Sequence, residues 1–337
     1  MIIDMHTHFV PKAWPDLAAR FGGDDWPGIR HTGPGKAMLT VGARDFRPVH
    51  SALWDAAERI EAMDRDGIDV QVMCATPFLF GYHRRPDQAA SCAEMFNDAA
   101  LEICAAASGP QAGRLRALCQ VPLQDIDLAC REVTRAAKSG HIGVQIGNHV
   151  GLRNMDDEGI VTFLQHCAGE NVPVLVHPWD MMGADRTKQY MMGWTVGMPA
   201  ETQLSIVSMI LGGAFDRLPL DLKLCFAHGG GSFAFLLGRL ENAWHNRDIA
   251  RGKSAHPPSH YCDRFSVDSA VFDPRALRLL IDVMGEDRVM LGSDSPFPLG
   301  ELQVGRLIRE CALGEATQSK LMGGNAARFF GIESPAH

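Results

Sequence analysis

The chain opens Ile2-Ile3-Asp4-Met5-His6-Thr7-His8. Ile2–Met5 is a short apolar, β-branched run that reads as a strand. The two histidines beyond it, at i and i+2, fall on one face. Seven further runs of this kind follow: Asp69–Cys74, Arg116–Val121, Gly143–Gly147, Pro173–Val176, Lys223–Phe226, Phe265–Asp268 and Val289–Leu291. Between them, apolar residues recur at helical spacing. Trp54, Ala57, Ile60, Ala62 and Met63 make one face, Leu128, Ala129, Val133 and Ala136 a second, and Phe233, Leu236, Leu237, Leu240 and Trp244 a third. Carboxylates at Asp125, Asp127, Asp157 and Glu158 suit helix starts, and Gly67, Gly140 and Gly285 suit helix stops. Strands alternating with helices imply an α/β fold with a parallel sheet, and eight strands close a (β/α)8 TIM barrel. An open doubly wound sheet is the competing architecture. No GxGxxG or GxxxxGK[ST] follows the first strand, which takes support from the usual nucleotide-binding version.

One stretch interrupts the alternation. Residues 9–50 are rich in Gly and Pro and contain a candidate hairpin, Lys36–Val41 and Asp45–Val49 around Gly42-Ala43-Arg44. A connection this long carries small elements of its own. It is expected to be an insertion capping the barrel mouth, within a single domain spanning residues 1–337.

Composition bounds the function. With 46% hydrophobic and 21% charged residues the chain is an ordinary globular one. A net charge of −8 disfavours nucleic acid as a partner. Nine cysteines without a CxxC pair read as free thiols in a reducing compartment. There is no basic leader, and the longest apolar helical stretch, Leu204–Phe215, is too short to span a bilayer. The expected protein is cytoplasmic and has no membrane partner.

The ends of the strands carry the chemistry. His177 ends Val174-Leu175-Val176, His228 follows Leu224-Cys225-Phe226-Ala227, and Asp294 lies just beyond Val289-Met290-Leu291. TIM-barrel sites are built at these C-terminal ends. Imidazoles and a carboxylate suit zinc and related cations. One strand-end histidine is usually a satisfied polar residue; this whole set, with His6 and His8, is not readily an accident.

Together His6-x-His8, His177, His228 and Asp294 resemble the metal site of the amidohydrolase superfamily, in the expected order along nearly the whole chain. The resemblance implies that His6, His8, His177 and Asp294 bind metal, and that His228 and Asp294 serve catalysis. Dinuclear members carry a bridging lysine or glutamate on the fourth strand, where this chain reads Gly143-Val144-Gln145-Ile146-Gly147-Asn148. Two cations closer than about 4 Å need a bridging anion. One divalent ion is therefore expected, zinc first.

Longer segments sharpen the resemblance: Asp45-Phe46-Arg47-Pro48, residues 175–183 (LVHPWDMMG), residues 228–233 (HGGGSF) and residues 292–298 (GSDSPFP). They are similar to the decarboxylase branch of that superfamily, which works on kynurenine and related aromatic degradation routes. The resemblance implies a carboxy-lyase that removes CO2 from a small dicarboxylate, an aminocarboxymuconate semialdehyde. Arg47 and Arg239 match that branch's carboxylate-binding arginines, with Arg239 donated across a homodimer interface. Trp179 and Phe297, with Met181, Met182 and Trp194, are the expected pocket wall. Ser295 departs from the branch, which has an aromatic residue there. Four other readings stay open: a hydroxymuconate semialdehyde decarboxylase, a hydroxybenzoate decarboxylase, a lactone or amide hydrolase, and a binding or structural protein on a barrel that has lost activity, against which the intact five-residue metal set argues. Gly229–Gly231 are expected to let backbone approach the metal pocket, Ser232 to cap a helix, and His149 to be an ordinary surface or core residue.

Overall fold

The computed structural model describes residues 1–333. The last four residues of the expected 1–337 domain, Ser334–His337, lie outside the described residues. The strands, in chain order, are β1 (Ile3–Phe9), β2 (Pro27–Gly33), β3 (Lys36–Val41), β4 (Arg44–His50), β5 (Val70–Ala75), β6 (Leu115–Ala117), β7 (Cys119–Gln120), β8 (Val144–Gly147), β9 (Val174–His177), β10 (Leu224–Phe226), β11 (Ser266–Asp268) and β12 (Val289–Met290). β1, β5 and β6 form one parallel sheet, and β7 to β12 form a second in consecutive order. β6 and β7 are two halves of one strand, parted at Leu118, whose N–H donates to the Met73 carbonyl at 2.8 Å. Met5 N–H to Leu291 O (2.9 Å), Asp294 N–H to His6 O (2.9 Å) and His8 N–H to Ser295 O (2.7 Å) join the last strand to the first. The eight expected strands thus close a (β/α)8 barrel.

β1 runs further than its apolar residues indicate. Its register with β5 slips between Asp4 and Thr7, which marks a β-bulge. Met5 packs in the cluster of Val72, Leu175, Cys225 and Met290, while its neighbour His6 meets the rings of His177 and His228. A bulge lets consecutive residues turn to one side, so apolar core passes directly into the histidine layer.

The expected hairpin appears as β3 and β4, with Leu39 opposite Arg47. β2 joins it to complete a three-stranded antiparallel sheet, and a short helix, Leu17–Phe21, precedes it. β2 was not expected, because Pro27-Gly28-Ile29-Arg30-His31-Thr32-Gly33 has no alternation and largely faces solvent. As an edge strand it needs only backbone pairing to β3.

The helix Ala56–Asp66 departs from the expected face: Ala57 is exposed, and Arg59 is buried beside Ile60 and Met63. Its cap is Asp55, which accepts from Ala57 N–H and Glu58 N–H at 2.9 and 3.2 Å. The helix Phe233–Asn246 buries only Phe233 completely. Ser232 makes no side-chain cap there. Gly229, Gly230 and Gly231 all have positive φ (61°, 71° and 64°). Their missing side chains make room for Val271, Leu280, Ile206 and Pro199, so helix and strand packing, not approach to the metal pocket, explains them.

Candidate active site

Five strand-end side chains meet at the C-terminal mouth of the barrel. His6, His177, His228 and Asp294 each offer a ligand atom, all within 4.8 Å of one another. His8 joins them, with Nε2 3.2 Å from His6 Nε2 and 2.9 Å from Asp294 Oδ1. Donors bound about 2.0–2.1 Å from one zinc-like ion can be at most about 4.2 Å apart, so only a small contraction is needed. Nε2 of His177 and both ring nitrogens of His228 are buried without a hydrogen-bond partner among the described residues. Such groups are costly unless something else fills the focus, so the donor set fits a divalent cation.

The outer nitrogens orient the rings. His6 Nδ1–H donates to Asp268 Oδ2 at 2.7 Å, and His177 Nδ1–H donates to the Pro178 carbonyl at 2.8 Å. Each bond leaves Nε2 as the inward lone pair, the arrangement expected of metal-binding imidazoles. Burial and the neighbouring His228, His8 and His6 rings hold the His177 imidazole well below its ordinary pKa, so it is a neutral donor. Burial would raise the Asp294 carboxyl, but the neighbouring His228 and His8 rings overcome it and hold Asp294 well below the usual carboxylate range. The site therefore presents a neutral His177 imidazole beside the Asp294 carboxylate. His228 and Asp294 both adopt left-handed backbone, φ 54° and 60°. Strain of this kind collects at functional sites.

Two residues here were not assigned roles from the sequence. Asp268 is fully buried and accepts from His6 Nδ1–H and from the N–H groups of His228, Gly229 and Ala270, the last three at 3.0 Å. Its signal was available, since it closes Phe265-Ser266-Val267 as His177 closes β9. Asp4 accepts from Ser293 N–H (3.0 Å) and Ser293 Oγ–H (2.6 Å), which ties β1 to the segment bearing Asp294.

Gly147 lies opposite His177 in the register. A Cβ there would come 2.7 Å from Trp179 Cδ1 and 2.8 Å from Tyr82 Cε2. A side chain at this level of the fourth strand would press into the Trp179 and Tyr82 rings.

The cavity above these residues has a volume of about 580 Å³. His8, His177 and Asp294 form its floor, and Trp179, Met181, Trp194 and Phe297 stand in its wall. Phe46 and Arg47 reach it from β4. Arg47 lies over the rings of Phe297, Trp194 and Phe46 at 5.0, 5.3 and 5.5 Å, and has no ion pair or side-chain hydrogen bond among the described residues. Burial lowers its pKa, with Asp294 acting in the other direction. An unpaired guanidinium in an aromatic cavity is equipped to hold a carboxylate. Three expected residues lie elsewhere. Met182 does not line the cavity, and neither does Ser295, whose carbonyl instead accepts from His8 N–H. Arg239 lies on an exposed side of the helix Phe233–Asn246, away from its own chain's cavity.

A closed parallel barrel with histidines and a carboxylate converging at its C-terminal mouth defines the metal-site barrel enzymes. A family model described as Amidohydrolase matches residues 3–332, and the chain belongs to that family. It is 41% identical over 334 residues to a 2-amino-3-carboxymuconate-6-semialdehyde decarboxylase of Dictyostelium discoideum, covering 98% of this chain and 92% of the relative. Among solved structures it is similar to IDCase of Metarhizium anisopliae, with TM-score 0.84, 23% identity, and 100% and 98% of the two chains covered. It is also similar to 5-carboxyvanillate decarboxylase of Sphingomonas paucimobilis, with TM-score 0.79, 26% identity, and 98% and 99% covered. Among the described residues, no helix is long and apolar enough to cross a membrane.

Proposed function

We infer that this chain is a non-oxidative decarboxylase of 2-amino-3-carboxymuconate 6-semialdehyde, yielding CO2 and 2-aminomuconate 6-semialdehyde on a kynurenine-type route. The observation that carries this is the 41% identity, over almost the full chain, to a relative of that name. The polar floor and cationic, aromatic wall of the cavity agree with it.

His6, His8, His177 and Asp294 hold one divalent ion, zinc by donor type. The closed space at Gly147 supports one ion over two. When bound, the ion supplies Lewis acidity beside the scissile carboxylate. Arg47 binds one substrate carboxylate, and Trp179 and Phe297 hold the planar chain between them. The bond to the departing carboxylate breaks with its electron pair left on carbon, where the conjugated aldehyde delocalises it. His228 and Asp294 manage the proton that replaces CO2. The insertion 9–50 acts as a cap, because it delivers Arg47 to the mouth.

The active form is a homodimer in which Arg239 crosses to the second copy's substrate. Supporting this, the helix bearing Arg239 leaves Phe235 79% exposed to solvent, an unusual position for a large aromatic. The location is the cytoplasm, supported by nine free cysteines, most of them buried.

Incubation of metal-loaded protein with the semialdehyde tests the reading. Loss of its near-UV absorbance with stoichiometric CO2 release is expected. Absorbance loss without CO2, or CO2 released only from hydroxybenzoates, overturns it.

A further inference from the structure

We propose that His149, held as an imidazolium beside Glu201, is a positioning residue that sets the Trp179–Met181 wall of the cavity. The inference rests on the decarboxylase reading for its substrate, though not for its geometry.

His149 follows β8 by two residues and is 9% exposed. Its Nδ1 lies 2.9 Å from the Gly151 carbonyl, and its Nε2 lies 3.1 Å from the Asp180 carbonyl. Carbonyl oxygens only accept. A neutral imidazole has one donor and one bare lone pair, so it satisfies one contact and repels in the other. Only the protonated ring donates to both. Glu201, on the helix Met198–Leu211, is itself buried and brings Oε1 to 4.0 Å from Nε2. The charged groups around the ring are this carboxylate and Asp180, whose charge also acts on Glu201 and His83. Burial pushes the Glu201 carboxyl up, while Met182 N–H and His149 pull it the other way.

What the ring holds is the cavity wall. The His149 imidazole stacks on Trp179, centroids 5.8 Å apart and planes at 26°. Trp179 Nε1–H donates to the His149 carbonyl at 2.9 Å, and Trp179 N–H donates to Asn148 Oδ1 at 3.0 Å. Asp180, whose carbonyl receives the second imidazole bond, has φ 43°, a conformation that needs external support. Glu201 Oε2 accepts from Met182 N–H at 2.7 Å and fixes the far end of the same turn. One ion pair thereby anchors a segment whose Trp179, Asp180 and Met181 face the cavity.

Two measurements test this on the full-length, metal-loaded protein. In 15N-histidine NMR near neutral pH, the resonance pair lost in His149→Gln should show both ring nitrogens protonated. A bare nitrogen at His149 overturns the proposal, whether or not the protein decarboxylates the semialdehyde. In kinetics, His149→Gln should raise KM by about tenfold, keep kcat within about threefold, and leave metal content unchanged. Glu201→Gln should do the same more weakly. An unchanged KM in His149→Gln, or a loss confined to kcat, also overturns it.

Discussion

Four N–H groups converge on the carboxylate of Asp268, from His6 Nδ1 and from the backbone of His228, Gly229 and Ala270. An amide has only one acceptor oxygen, so Asp268→Asn turns a donor toward at least one of these groups. His6 then loses its orientation. Metal affinity should fall by about 10–100-fold, read by competition with a chelator; unchanged affinity would show that His6 needs no such partner. His228 is the contrasting case. Its ring nitrogens are unpaired and its backbone is strained, yet it lies as near the focus as the ligands do. His228→Ala should retain the metal and lose about 10²–10⁴-fold in kcat. Loss of the metal with His228 would make it a ligand instead. The strand-end histidines and Asp294 were legible because each interrupts an apolar run. Asp268 ends its run in the same way, but its role lies in a hydrogen bond to a residue 262 positions away, which spacing does not reveal.

At the scale of elements, what the sequence displayed depended on burial. Barrel strands such as β9, fully buried, were visible as Val174-Leu175-Val176-His177. β2 is exposed and carries Pro and Gly, so it left no hydrophobic pattern and only its partner strands were anticipated. Arg59 was hidden differently: a charged residue inside a helix face reads as solvated, but here it donates from Nη1 to Thr7 Oγ1 and Gln71 Oε1 at 3.4 and 3.2 Å. On β8, Gly147 is the position where one atom matters. Gly147→Ala would press into Trp179 and Tyr82, and should lower stability by about 1–3 kcal/mol while shifting tryptophan fluorescence. Wild-type stability and spectrum in that variant would show that the wall is slack, and would weaken the case for a single ion.

At the scale of the molecule, the barrel seals most of its thiols. Seven of the nine cysteines are buried, and only Cys104 and Cys130 are partly exposed. Burial raises the thiols of Cys92, Cys104 and Cys262 to about 11. A raised thiol pKa means less thiolate, about one part in a thousand at pH 8 for a value near 11. Ellman's reagent at pH 8 should therefore react slowly with the native protein and rapidly with all nine thiols once it is unfolded. Fast reaction of the buried seven would mean that the barrel opens readily.

The central claim is that remote side chains share one cation. Metal content per chain, measured after chelator treatment and zinc loading, tests it most directly when wild type is compared with His177→Ala. The account predicts about one equivalent for wild type, well below half for the variant, and no CO2 release from the stripped protein until zinc is restored. Two equivalents in wild type, or equal metal in both proteins, would contradict it.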